Sequence, residues 1–212
     1  MKKRQVKLHS IEEKLNVGMQ EIGIKRDKKL IDKLLIYIHI LKKWNKKINL
    51  TAFTNDFDIV KHHFLDSLAI TKFIEQKKIL DVGSGAGFPG IILALCDATR
   101  QITLVDKVGK KAAFMRQVCL ELNLKNVSVI HSRVEEISSH KYDAIVARAF
   151  GEMSLLMNLT QNLINDKGVW YGMKSKKLMD EDIIKNKNIY KIFDIKVPFL
   201  DAERYLIKVS NA

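Results

Sequence analysis

The stretch "KILDVGSGAGFPGIILAL", residues 78–95, limits what this chain can fold into more than any other. An apolar run ends in Asp81-Val82, glycines follow at 83, 85 and 87, and Pro89 leads into a second apolar run. A strand, a glycine turn and a helix in that order open a nucleotide-binding βα unit. The alternation then continues. "QITLVD", "VSVIHS", "YDAIVAR" and "GVWYGMK" read as strands, and helical segments run from Pro89, through Phe114 to Leu122, and around "MSLLMNLTQNLI". That order predicts βαβ units and a parallel sheet with helices on both faces. "IYKIFDIKV" and "RYLIKVS" have no helix-length segment between them and predict an antiparallel hairpin closing one edge.

Residues 1 to about 72 read differently. In "SIEEKLNVGMQEIGI", Ile11, Leu15, Met19 and Ile22 fall at helical spacing, with Ser10 placed as a cap and Glu13 three residues on. "KKLIDKLLIYIHILKKWNKKI" repeats the period through Leu30, Leu34, Tyr37, Ile38 and Leu41, and "NLTAFTND" breaks it. It resumes in "FDIVKHHFLDSLAITKFI" through Ile59, Val60, Phe64, Leu68 and Ile70. The expected division is a basic N-terminal helical region, 1–72, followed by a sheet domain, 73–212.

The glycine turn does not by itself name its nucleotide. Gly85, Gly87 and Gly90 spell G-x-G-x-x-G, but the dinucleotide fingerprint wants its first glycine directly after the strand, and that residue is Gly83. Counted from Gly83, the sixth position is Phe88. A P-loop is excluded because no Lys-Ser/Thr pair closes the turn. Charge decides further. Asp81, at the carboxyl end of the strand, is expected to face the ligand crevice. There it would repel a pyrophosphate and attract an ammonium or a sulfonium. S-adenosylmethionine carries both cations and no phosphate. Gly83, Gly85 and Gly87 then let backbone lie close against the cofactor, and Asp106, nineteen residues after Gly87, is placed to accept from ribose hydroxyls. A tight turn that binds nothing is the alternative.

Parallel strands finish on one rim, which collects Lys107, Lys110 and Lys111 after the second strand, Arg133, Val134 and Glu135 after the third, Arg148 after the fourth and Lys174 after the fifth. Acids for a cationic cofactor stand there beside bases for a polyanion. A net charge of +13 points the same way, although A+T-rich coding, which favours Lys, Ile and Asn, would raise it too. The first fifty residues hold 14 Lys/Arg against 5 Asp/Glu, and Lys42, Lys43, Lys46 and Lys47 surround Trp44. These lysines are candidate RNA phosphate contacts, while Trp44 reads as buried. His62 and Asp66 lie four apart beside His63, but no third ligand stands at usable spacing, so no metal is expected. One histidine of the pair is expected to pack between the helices and the sheet. Cys96 and Cys119 sit in apolar helical patterns and read as reduced core residues, no apolar run reaches membrane-spanning length, and no apolar segment follows the basic start. A cytoplasmic protein is expected.

The phrases "NLTA", "HFLDSL", "GSGAGFPG" and "ARAF", in that order, carry a resemblance. The chain resembles the bacterial small-subunit ribosomal RNA guanine-N7 methyltransferases, also called glucose-inhibited division protein B. The likeness spans most of the chain from "LKKWNKKINLTAFT" to "GMK". It implies a class I methyltransferase, an α/β Rossmann-like fold with a mostly parallel seven-stranded sheet, an antiparallel edge hairpin and an N-terminal helical extension. It implies S-adenosylmethionine as cofactor, bound by Gly83, Phe88, the Val134-Glu135 pair beside the adenine, and Arg148. Small-subunit ribosomal RNA, or the subunit itself, is the implied partner. Arg133 and Arg148 are the basic positions near cofactor and RNA, and a substrate-side role for a histidine fits the resemblance. Where the family pattern commonly has Asp-Ser, this chain has Asp106-Lys107.

The chemistry agrees. Guanine N7 offers an in-plane lone pair and no hydrogen, so methyl transfer to it needs positioning and no general base. The fourth strand accordingly ends in "ARAF", not in an Asn/Asp-Pro-Pro-aromatic motif, and no Pro-Cys pair is present for attack on pyrimidine C5. A class I enzyme acting on another RNA position and a non-catalytic RNA-binding assembly factor are the alternatives; an NAD-dependent oxidoreductase is more distant.

Overall fold

The computed structural model describes residues 2–138, 141–175 and 190–211. Helix α1 spans Lys2–Ile22 and α2 spans Lys28–Asn45. The helix does not begin at Ser10: the preceding Lys, Arg and Gln residues are good helix formers and carry it upstream, so Ser10 sits mid-helix. Asp27 caps α2 by accepting from the N–H groups of Lys29 and Leu30 at 2.9 and 3.3 Å. Then come α3 (Asp56–Ile59), a π-helical turn (Val60–Leu65) and α4 (Asp66–Ala69).

The sheet alternates strand and helix: β1 Lys78–Val82, α5 Gly90–Cys96, β2 Gln101–Asp106, α6 Gly109–Glu121, β3 Val127–His131, β4 Tyr142–Arg148, α7 Met153–Thr160 and β5 Ile164–Ser175. β6 (Lys191–Asp194) and β7 (Arg204–Ser210) complete it. Among the described residues the strand order is β3-β2-β1-β4-β5-β7-β6. The first five strands run parallel, while β7 is antiparallel to both β5 and β6. This is the Rossmann-like α/β arrangement with its antiparallel edge hairpin. The strand order reverses between β1 and β4, and the crevice at such a reversal is where open α/β sheets bind ligands.

Strand parity divides the core. Ile79, Ala144, Val146 and Tyr171 face a layer built from α1, α2, the π turn, α4, α5 and α6. Leu80, Val82, Ile145 and Trp170 face the layer that holds α7. Leu15, Leu34, Leu41 and Phe64 of the N-terminal helices are fully buried in the same core as the sheet. No described helix is long and apolar enough to cross a membrane.

Candidate cofactor cleft and basic rim

The chain leaves β1 through Gly83, whose φ of +67° few side chains adopt and which is exposed at the mouth of the crevice. Gly87 is more constrained still: at φ +81°, a Cβ there would collide with Ile91 and the Tyr37 hydroxyl. The loop is held from behind by α2, where the Tyr37 hydroxyl donates to the Ala86 carbonyl. Asp106 holds it from the front, accepting from Gly85 N–H and from Val108 N–H, each at 2.9 Å. Each carboxylate oxygen thus keeps a free lone pair.

A cleft of about 350 Å³ opens beside this loop. It gathers Gly83, Asp106, Lys107, Lys111, Arg133, Val134 and Glu135 from sequence positions scattered over fifty residues of chain. Val82, Val105, Val108, Phe150 and Leu159 supply its apolar walls. Phe150 reaches it because Ala149, at φ +54°, turns the chain sharply after β4. These wall residues carry no chemical signature in the sequence: Val82 and Val105 lie at the ends of β1 and β2, Val108 and Phe150 just past β2 and β4, and Leu159 comes from α7. Ser132 donates to Glu136 at 2.7 Å and fixes the turn that presents Arg133 and Glu135.

Several expected site residues stand elsewhere. Asp81 does not face the crevice. It shares the parity of Ile79, so its side chain lies under the loop against α5, fully buried, accepting from Gly90 N–H at 2.8 Å. Its second oxygen has no hydrogen-bond partner, and burial pushes its pKa up to about 7. The Phe88 ring is also buried, stacked between Tyr37 and His63 with centroids 5.1 Å away on each side.

Arg148 shares the parity of Val146 and turns toward the N-terminal helices. It donates to the His62 carbonyl at 3.2 Å and to His63 Nδ1 at 3.0 Å, lies 3.7 Å from Asp66, and covers the Phe88 ring. Asp66 also pairs with Arg204 at 3.3 Å. His63 is therefore the packing histidine between helices and sheet. Lys174 is not a surface residue: it is 3% exposed, on the opposite parity, with its ammonium donating to the carbonyls of Phe150 and Gly151. Lys42 is paired with Asp56.

The other lysines do converge. Lys47 from the end of α2 joins Lys110 and Lys111 from the start of α6 around a hollow of about 270 Å³, which shares Val108 and Lys111 with the cleft. Lys43 and Lys46 are exposed nearby on α2 and its cap, and Trp44 is half-buried edge-on to Phe114. An anion-attracting rim thus adjoins a cleft containing carboxylates. Among the described residues no three His, Cys, Asp or Glu side chains come together to hold a metal ion.

Comparison with known proteins places this geometry. Residues 30–207 match the family described as GidB, rRNA small subunit methyltransferase G. The chain is 40% identical over 198 residues to the ribosomal RNA small subunit methyltransferase G of Methylobacillus flagellatus, covering 93% of this chain and 97% of that one. It is 40% identical over 202 residues to the protein of the same name from Neisseria meningitidis, with 94% and 98% covered. Among solved structures, a SAM-dependent methyltransferase from Aquifex aeolicus superposes with a TM-score of 0.56 at 14% identity, covering 73% of this chain and 93% of that one. TYW2 of M. jannaschii in complex with AdoMet gives 0.56 at 15%, covering 78% of each. At those identities the likeness concerns the fold.

Proposed function

The chain belongs to the ribosomal RNA small subunit methyltransferase G family, and from that premise we propose that it transfers a methyl group from S-adenosylmethionine to N7 of a guanine in small-subunit ribosomal RNA. The observation that carries the reading is the cleft itself, where Asp106 stands at the end of β2 between the glycine loop and apolar walls, with a basic hollow next to it. The residues fit the cofactor. Asp106 keeps lone pairs for two ribose hydroxyls, and Val134 and Val108 give an apolar slot beside Glu135 for the adenine. When bound, the cofactor supplies an electrophilic methyl on a sulfonium.

The chain's own residues then have limited work. Gly83 and Gly85 bring backbone close without side-chain bulk, and the apolar walls exclude water. Lys47, Lys110 and Lys111 attract the RNA backbone and fix its orientation without reading sequence. No group has to remove a proton, because N7 carries none; rate comes from in-line approach and from the surroundings of the charge that develops on the base. Asp81 serves this arrangement from below, by holding Gly90 and hence the loop-to-helix junction. Phe88 and Arg148 act likewise through the loop's underside and the helices, not as walls of the cleft.

Expression in a bacterium whose own copy of this methyltransferase has been deleted provides the test. Restored 7-methylguanosine in digested small-subunit RNA is the expected result; a digest that stays free of it would count against the reading.

A further inference from the structure

Sequence-specific contact with RNA usually takes an unstacked base onto an aromatic face. One such face stands beside the carboxyl end of β4, tied to it by Arg148, which donates to the His62 carbonyl at 3.2 Å. The Phe53 ring and the His62 imidazole lie parallel, 4.1 Å apart at an interplanar angle of 4°, and both are only half-buried. They are placed by unusual backbone. Asn45 Oδ1 accepts from Leu50 and Thr51 N–H at 2.8 and 3.0 Å, and Thr51 Oγ1 accepts from Phe53 N–H at 3.1 Å, which shapes the "NLTAF" loop.

His62 sits in the π-helical turn Val60–Leu65, a departure from α geometry that tends to occur at functional sites. The wider turn gives the two adjacent histidines different stacking partners, although both touch Phe53, which His63 meets edge-on at 5.5 Å. His63 stacks on Phe88 of the glycine loop, and His62 stacks on Phe53. Arg148 ties the turn to the carboxyl end of β4 through the His62 carbonyl, two residues before Phe150 enters the cleft. Burial, with Lys61 and Arg204 nearby, lowers the His62 pKa, which favours an uncharged ring at neutral pH.

We propose that Phe53 and His62 form the acceptor-base subsite, an aromatic platform on which the target guanine stacks at the β4 edge of the cleft. The proposal rests on the methyltransferase reading above. It also supplies what that chemistry lacks. Transfer of CH3 from sulfur to N7 breaks the S–C bond, forms an N–C bond, leaves a neutral thioether and places a positive charge on the purine. An aromatic face attracts a cation, so the platform holds the methylated base more strongly than the starting one. Selectivity for the transition state follows without any proton-transferring residue.

The test is single-turnover methylation of undermethylated small subunits with labelled S-adenosylmethionine, alongside cofactor affinity and melting temperature for each protein. Phe53→Ala, Phe53→Leu and His62→Ala are each expected to lose about tenfold or more in rate at saturating subunits. Phe53→Tyr should stay near wild type, with cofactor affinity unchanged in all four. Phe53→Leu keeps apolar volume, so a Leu variant as fast as the Tyr variant would overturn the platform and leave Phe53 a packing residue. An unaffected Phe53→Ala would overturn it too, as would a rate loss that only tracks lost cofactor affinity. A wild-type protein that forms no 7-methylguanosine would overturn the methyltransferase reading and the subsite together, a result distinct from a working wild type with a fast Leu variant.

Discussion

Arg148 donates to Nδ1 of His63 across 3.0 Å, although 85 residues separate them. That bond makes Nδ1 an acceptor, so the ring's proton lies on Nε2 and is donated to Thr51 Oγ1 at 2.6 Å. Burial first, and the guanidinium second, push the His63 pKa down to about 3. A neutral imidazole is what this junction of helices, loop and sheet requires.

A pH dependence follows. Between about pH 6.5 and 3 the unfolded chain takes up a proton at His63 that the folded chain refuses, so the histidine's contribution is full above 6.5 and is lost as pH falls. His63→Asn keeps an acceptor but does not titrate. Its melting temperature relative to wild type should move in the variant's favour as pH falls from 7 to 4; a difference that stays constant with pH would contradict this.

Asp81 has the opposite sign. Its folded pKa of about 7 lies above the ordinary 3.8, so the folded chain holds the extra proton and stability falls as pH rises between those values. Asp81→Asn can still accept from Gly90 N–H and places an amide at the unpartnered oxygen. It should gain on wild type as pH rises from 4 to 8, by roughly 5–10 °C in melting temperature. A variant that gains nothing at pH 8 would contradict the buried placement of this carboxyl.

Asp106→Ala should weaken S-adenosylmethionine binding by about tenfold or more, since it removes the ribose acceptor and frees the Gly85 and Val108 N–H groups together. Calorimetric titration reads it directly. Unchanged affinity would remove Asp106 from the cofactor site.

Reversing charge at Lys43 and Lys47 should weaken RNA binding at low salt and reduce the salt slope by about one for each phosphate no longer neutralised. Cofactor affinity should not change, because neither residue lines the cleft. Equal loss of both affinities would mean that these lysines support the fold.

What could be read from the chain alone was local. Gly83, Asp106 and the Val134-Glu135 pair each stand at the end of a strand or within four residues of it, so one βα pattern places them, and all line the cleft, whereas Gly85 and Gly87 do not. Side-chain direction at the strand ends was another matter. Asp81, Arg148 and Lys174 all lie at carboxyl ends of strands, yet alternation turns the first toward α5, the second toward the N-terminal helices on that same face, and the third toward the loop before α7. Counting parity from Ile79 or Val146 contains that information, but only once it is known which face the N-terminal helices cover. The burial of Phe88 depends on Tyr37 and His63, partners from distant elements that no spacing rule joins. Lys42 reads like its neighbours until the fold brings Asp56 to it.

The most direct test of the central claim is to incubate the purified chain with methyl-labelled S-adenosylmethionine and undermethylated bacterial small subunits, then digest the RNA to nucleosides for mass spectrometry. Label recovered as 7-methylguanosine is the predicted result. Label in any other nucleoside, or none despite measured cofactor binding, would contradict the claim.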